Sequence, residues 1–153
     1  MELPQLDDLY RDSILDHRRN PRNNGKLDNA TIIGDSVNPF CGDEIHLQLD
    51  LAGDGRVERV GLQSEGCSIN QAAGSMLTEA VVGKTLREID HLVQTFKLMM
   101  QGDPDAESRL SDENDLKSLL GVRNYPVRIK CALLSWSALE DGVLSYRRSS
   151  EPG

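Results

Sequence analysis

Hydrophobic spacing changes twice along the chain. Leu6, Leu9, Tyr10, Ile14 and Leu15 recur at helical intervals and predict a short amphipathic helix over 6–17. The following run, His17 to Lys26, is rich in Arg, Asn, Pro and Gly and reads as an exposed basic loop. Strict alternation then takes over: Ile45, Leu47, Leu49 and Leu51 are separated by His46, Gln48 and Asp50. Val57, Val60 and Leu62 follow a Gly53-Asp54-Gly55 turn, which predicts a β-hairpin. Thr31-Ile32-Ile33 supplies a third strand. From Ser68 the helical period returns in Ile69, Ala72, Ala73, Met76, Leu77, Ala80 and Val81, closed by Gly83. Thr85 and Glu88 form a capping-box pattern ahead of Leu86, Ile89, Leu92, Val93 and Phe96. Residues 101–120 are acidic and turn-rich, which predicts a mobile surface insertion with a short helix at Leu116–Leu120. Pro126 opens a last helix carrying Ile129, Ala132, Leu133, Trp136, Leu139 and Val143, followed by a polar tail, 146–153, expected to fray. Strands first and helices afterwards predict a single α+β domain over 1–153, a small three-stranded antiparallel sheet packed against several helices.

Composition narrows the partners. The 153 residues carry 17 Lys+Arg against 25 Asp+Glu, a formal charge of −8, which argues against nucleic acid because phosphate binding needs clustered cations. No apolar run approaches the ~18 residues of a membrane span. The acidic opening lacks the basic and apolar regions of an export signal, so a cytoplasmic location is expected. Three cysteines, at 41, 67 and 131, are an odd number at wide separations; they point to metal or thiol chemistry rather than a disulfide framework.

Each cysteine stands at a turn or a helix start. In Cys41-Gly42-Asp43, a glycine between thiol and carboxylate lets both converge on one ion. Cys67 sits at a strand-to-helix junction, where free amides and the helix dipole favour the thiolate. Cys131 lies off the apolar stripe of the last helix and is expected to face a site. Cys41, Asp43, Cys67 and Cys131 are four donors, enough to close a tetrahedral zinc shell. Taken singly, each cysteine reads more commonly as a buried, inert thiol; the shared placement favours the joint reading. His17, His46 and His91 have no local ligand partner and read as surface or packing residues, and Phe96 and Trp136 as core.

The segments Asn38-Pro39-Phe40-Cys41-Gly42-Asp43, Glu65-Gly66-Cys67-Ser68-Ile69 and Arg128-Ile129-Lys130-Cys131-Ala132-Leu133 resemble the three cysteine motifs of the IscU-like iron-sulfur assembly proteins. Leu9-Tyr10, Asp16-His17 and Pro21-Arg22-Asn23 are similar to the opening of that family, so the resemblance spans about residues 6 to 145. Lys130 stands where the scaffold branch has His, and the acidic insertion resembles the SufU branch. The resemblance implies a SufE/IscU-like fold and a zinc-dependent sulfurtransferase. Such a protein would accept persulfide sulfur from a SufS-type cysteine desulfurase and relay it to downstream Suf assembly proteins. It further implies that Cys41 is the sulfur acceptor and that Asp43, Cys67 and Cys131 complete the metal shell. Arg128 and Lys130 flank Cys131, where they would steer a partner or stabilise a persulfide anion; a Lys on a helix is more often merely solvated. Two other classes stay open: a scaffold on which an iron-sulfur cluster is transiently built, and a zinc-stabilised interaction module.

Overall fold

The computed structural model describes residues 8–38, 42–110 and 115–150. Helix α1 (Asp8–Arg19) leads into strands β1 (Ile32–Asn38), β2 (Asp43–Leu51) and β3 (Val57–Glu65). Helices α2 (Ser68–Val81), α3 (Leu86–Met100) and α4 (Pro104–Arg109) follow, then a 3₁₀ stretch (Asp115–Asn124) and the long α5 (Pro126–Ser150). The strands form an antiparallel sheet in the order β1-β2-β3, and the predicted hairpin pairs Leu47 with Leu62 and Leu49 with Val60. Alternation sends Ile45, Leu47 and Leu49 to the helical side, where all three are buried.

Helix α2 is the central element. Twelve of its residues are buried, from Ser68 to Val81, so it is enclosed on almost every side and packs against α1, β3 and α5. Helix α3 is amphipathic, with Ile89, Val93, Phe96, Met99 and Met100 buried, and its capping box is formed by Thr85 and Glu88. Phe96 stacks on Trp136 of α5 with ring centroids 4.2 Å apart and planes 11° from parallel. Such a pair contributes about 0.5–1.5 kcal/mol beyond its buried area.

Three features differ from the expectations drawn from sequence. Strand β1 extends past Ile33 to Asn38, its Gly34, Asp35 and Ser36 held extended by pairing with Leu47, His46 and Ile45. Within 101–120 the chain forms α4 and buries Ala106, Leu110, Leu116 and Leu119, so this stretch contributes to the core rather than lying wholly on the surface. Helix α5 continues through the polar residues to Ser150.

The basic loop after α1 is tied down. Its Asn23 carbonyl accepts from the Leu62 amide and its Gly25 amide donates to the Leu62 carbonyl, which extends the sheet beside β3. Asn23 Nδ2 also donates to Thr78 Oγ1 at 3.0 Å, fastening the loop to α2.

Candidate metal centre

Asp43 is the first residue of β2 and shares the inward face with Ile45, Leu47 and Leu49, so the sheet turns its carboxylate toward the helices at 1% exposure. Strand β3 ends beside it. Gly66 then takes φ +124°, a backbone conformation that side-chain-bearing residues rarely adopt, and redirects the chain into α2. Cys67 is the N-cap of that helix, in an extended conformation (φ −73°, ψ 161°). Its backbone amide, one of the donors that a helix start leaves without an intrahelical partner, donates to Asp43 Oδ1 at 3.0 Å. Cys131, in the second turn of α5, is fully buried and faces the same point.

The result is a cluster from three distant segments. One ligand atom each from Asp43, Cys67 and Cys131 lies within 4.8 Å of the others. Bonds of about 2.0–2.3 Å to a tetrahedral ion require donor separations of roughly 3.4–3.8 Å, so a movement of about one ångström brings the three into one shell. Burial pushes the Cys131 thiol well above its ordinary range, and hydrogen bonds to Cys67 and Asp43 push it further. Asp43 Oδ2 is buried and has no hydrogen-bond partner among the described residues. An acceptor stranded in this way costs about 1–3 kcal/mol, more when charged, and a cation between it and the two sulfurs relieves that cost. Two soft thiolates and one carboxylate suit zinc, whose tetrahedral shell has room for a fourth donor.

The structure therefore assembles three of the four donors expected from sequence; Cys41 lies outside the described residues. Gly42, just before Asp43, has φ +70°. Of the two flanking cations, Lys130 is exposed and Arg128 half-buried. Periodicity gave no sign of the Asp43–Cys67 amide bond, because it joins residues 24 positions apart.

The histidines stand apart from this cluster. His17 is fully buried, its Nδ1 2.8 Å from Ser75 Oγ and its Nε2 3.5 Å from Glu79 Oε1. The order Glu-His-Ser has the look of a hydrolytic triad, but Ser75 is itself fully buried and its hydroxyl accepts the Arg22 amide at 2.9 Å. It is a clasp between the loop and α2, closed to any substrate. His46 bonds Asp35 on the outer face of the sheet, and His91 is exposed on α3.

The comparison with known proteins is decisive at the level of family. The model of the NifU-like N terminal domain matches residues 9–151. The chain belongs to that family. Among NifU-like relatives, the zinc-dependent sulfurtransferase SufU of Bacillus subtilis (strain 168) is 48% identical over 90% of this chain and 91% of its own. The iron-sulfur cluster assembly scaffold protein IscU of Thermotoga maritima is 34% identical over 92% of this chain and 96% of its own. The NifU-like fold also matches a crystal structure from Fervidobacterium islandicum AW-1, a protein assigned as an iron-sulfur cluster assembly scaffold for the SUF system. That match has a TM-score of 0.74 and 31% identity, over 86% of this chain and 93% of that one. No helix among the described residues is long and apolar enough to cross a membrane.

Proposed function

We propose that this protein is a zinc-dependent sulfurtransferase of iron-sulfur cluster assembly, taking sulfur from a SufS-type cysteine desulfurase and passing it to downstream Suf proteins in the cytoplasm. The observation that carries the reading is the convergence, from β2, α2 and α5, of two thiols and a buried carboxylate oxygen that has no partner among the described residues. The 48% identity to a zinc-dependent sulfurtransferase supports it. Asp43, Cys67 and Cys131, joined by Cys41, would hold the ion. Zinc, when bound, supplies a Lewis-acidic centre that keeps its thiol ligands deprotonated and fastens the three segments together.

Cys41 is the residue that turns over. Its thiolate attacks the outer sulfur of the partner's cysteine persulfide; a new S–S bond forms on Cys41, the partner's S–S bond breaks, and the partner's thiolate departs. No electron is gained or lost overall. The carbon–sulfur cleavage that makes the persulfide belongs to the pyridoxal-phosphate partner. Arg128 and Lys130 act beside Cys131 by attracting the partner and stabilising the persulfide anion.

Desulfurase turnover with and without the protein tests this reading. Cys41→Ser is expected to abolish the stimulation while leaving the circular dichroism spectrum unchanged; stimulation equal to wild type overturns the role of Cys41. The scaffold reading is favoured by the 34% identity to an IscU scaffold protein. The two part on anaerobic purification. A colourless protein with one zinc supports the transferase, and a brown protein that donates its cluster supports the scaffold.

A further inference from the structure

The turn that delivers Cys67 is fastened in an unusual direction. With Cys67 as N-cap of α2, Asn70 occupies the third helical position, where a capping-box side chain reaches back and accepts the N-cap amide. Here the bonding is reversed. Asn70 Nδ2 donates to the Glu65 carbonyl at 3.0 Å, and Gln71 Nε2 donates to the Gly66 carbonyl at 3.0 Å. The Cys67 amide is left to Asp43 Oδ1. Three successive residues of the turn, Glu65, Gly66 and Cys67, are thus each pinned by a side chain, two from the helix and one from the candidate metal ligand.

Asn70 is fully buried and Gln71 half-buried. The Glu65 carbonyl can only accept, so the Asn70 nitrogen must face it, and this orientation leaves Oδ1 buried with no partner among the described residues. The bond its nitrogen makes to the turn is therefore formed at the cost of an unsatisfied buried oxygen. Resting on the metal-site reading above, we infer that Asn70 and Gln71 are positioning residues for the metal centre. By clamping the Glu65 and Gly66 carbonyls they fix the peptide planes that aim the Cys67 amide at Asp43, and they hold the Cys67 thiol and the Asp43 carboxylate in one coordination geometry. Neither belongs to the candidate ligand set. They set how closely the empty site already matches the filled one, which is the property that affinity reads.

Zinc competition against a chromophoric chelator, with the full chain, tests this. Asn70→Ala is expected to weaken zinc binding about 10–100-fold, the usual effect of removing a residue that orients a ligand. Gln71→Ala, on the half-buried side of the same turn, is expected to weaken it in the same direction and decides the matter if Asn70→Ala does not fold. Thermal unfolding with and without zinc supplies the second readout: the gap between the two transitions should narrow in each variant. Wild-type affinity in Gln71→Ala and in folded Asn70→Ala overturns the inference, as does an equal loss of stability in metal-free and zinc-loaded forms at unchanged affinity. Failure of the wild-type protein to bind zinc overturns the metal-site reading itself, a result distinguishable from either.

Discussion

A β-carbon placed on Gly66 would stand 1.9 Å from Oδ1 of Asp43, the oxygen that accepts the Cys67 amide. The glycine between β3 and α2 is therefore required twice, by its φ of +124° and by the carboxylate pressed against it. Gly66→Ala is expected to destabilise the fold by about 1–3 kcal/mol, the usual range for a backbone forced into a sparsely populated region, and to lower the zinc bound per chain. Metal analysis alongside thermal unfolding checks both, and an alanine variant with full zinc content and unchanged Tm would contradict the proposed cradle.

Zinc should stabilise the folded chain by mass action. At free zinc about a thousandfold above Kd the gain is about 4.1 kcal/mol, which for a domain of this size corresponds to an upward shift in Tm of about 8–16 °C. Removing the ion returns the stranded Asp43 Oδ2. Calorimetry with added zinc and with excess chelator measures the difference; coincident transitions would contradict a metal held by these residues.

Much of the architecture could be read from spacing. The alternation in β2 and the period of α2 each reflect one buried face, and the capping box of α3 is local chemistry between Thr85 and Glu88. The site was legible in its donors because Cys67 stands at a strand-to-helix junction and Cys131 near a helix start, although Cys131 is buried within the core while Ile129 and Leu133 are only partly buried. What was not legible depends on distant partners. Gly34, Asp35 and Ser36 are poor strand formers that pairing with β2 holds extended. Ala106 and Leu110 look isolated in an acidic stretch until α4 packs them inward. His17 sits in a run of polar residues, yet Ser75 of α2 receives it into the interior. The amides of Asn70 and Gln71 look like ordinary polar helix residues, because their targets lie in the turn before the helix.

Helix α5 and strand β1 meet backbone to backbone, since a β-carbon on Gly34 would lie 2.0 Å from the Ala138 carbonyl oxygen. Backbone cannot step aside as a flexible side chain does. Gly34→Ala should cost about 1–3 kcal/mol or more, as overpacking does, and denaturant unfolding gives the value; a cost below a few tenths would show that β1 and α5 are not in contact there.

The hydrogen bond that Asp35 accepts from the His46 ring raises the His46 pKa above its ordinary value, with Glu44 adding to the effect. A raised folded-state pKa stabilises the protein fully below the unfolded value, and the stability is lost as pH rises through the folded one. The pair is half exposed, so the contribution is small. An NMR titration of the His46 ring should give a midpoint above 6.5 that falls in Asp35→Asn. An unchanged midpoint in the variant would remove Asp35 as the cause.

The central proposal is that this chain carries sulfur on Cys41, which shares a metal centre with Asp43, Cys67 and Cys131. It is tested most directly by incubating the protein with a SufS-type desulfurase and cysteine, then mapping the mass of each cysteine-containing peptide without reductant. The account predicts one added sulfur atom on the Cys41 peptide, and none there when desulfurase or cysteine is omitted. An adduct confined to Cys67 or Cys131, or no adduct under turnover, would contradict it.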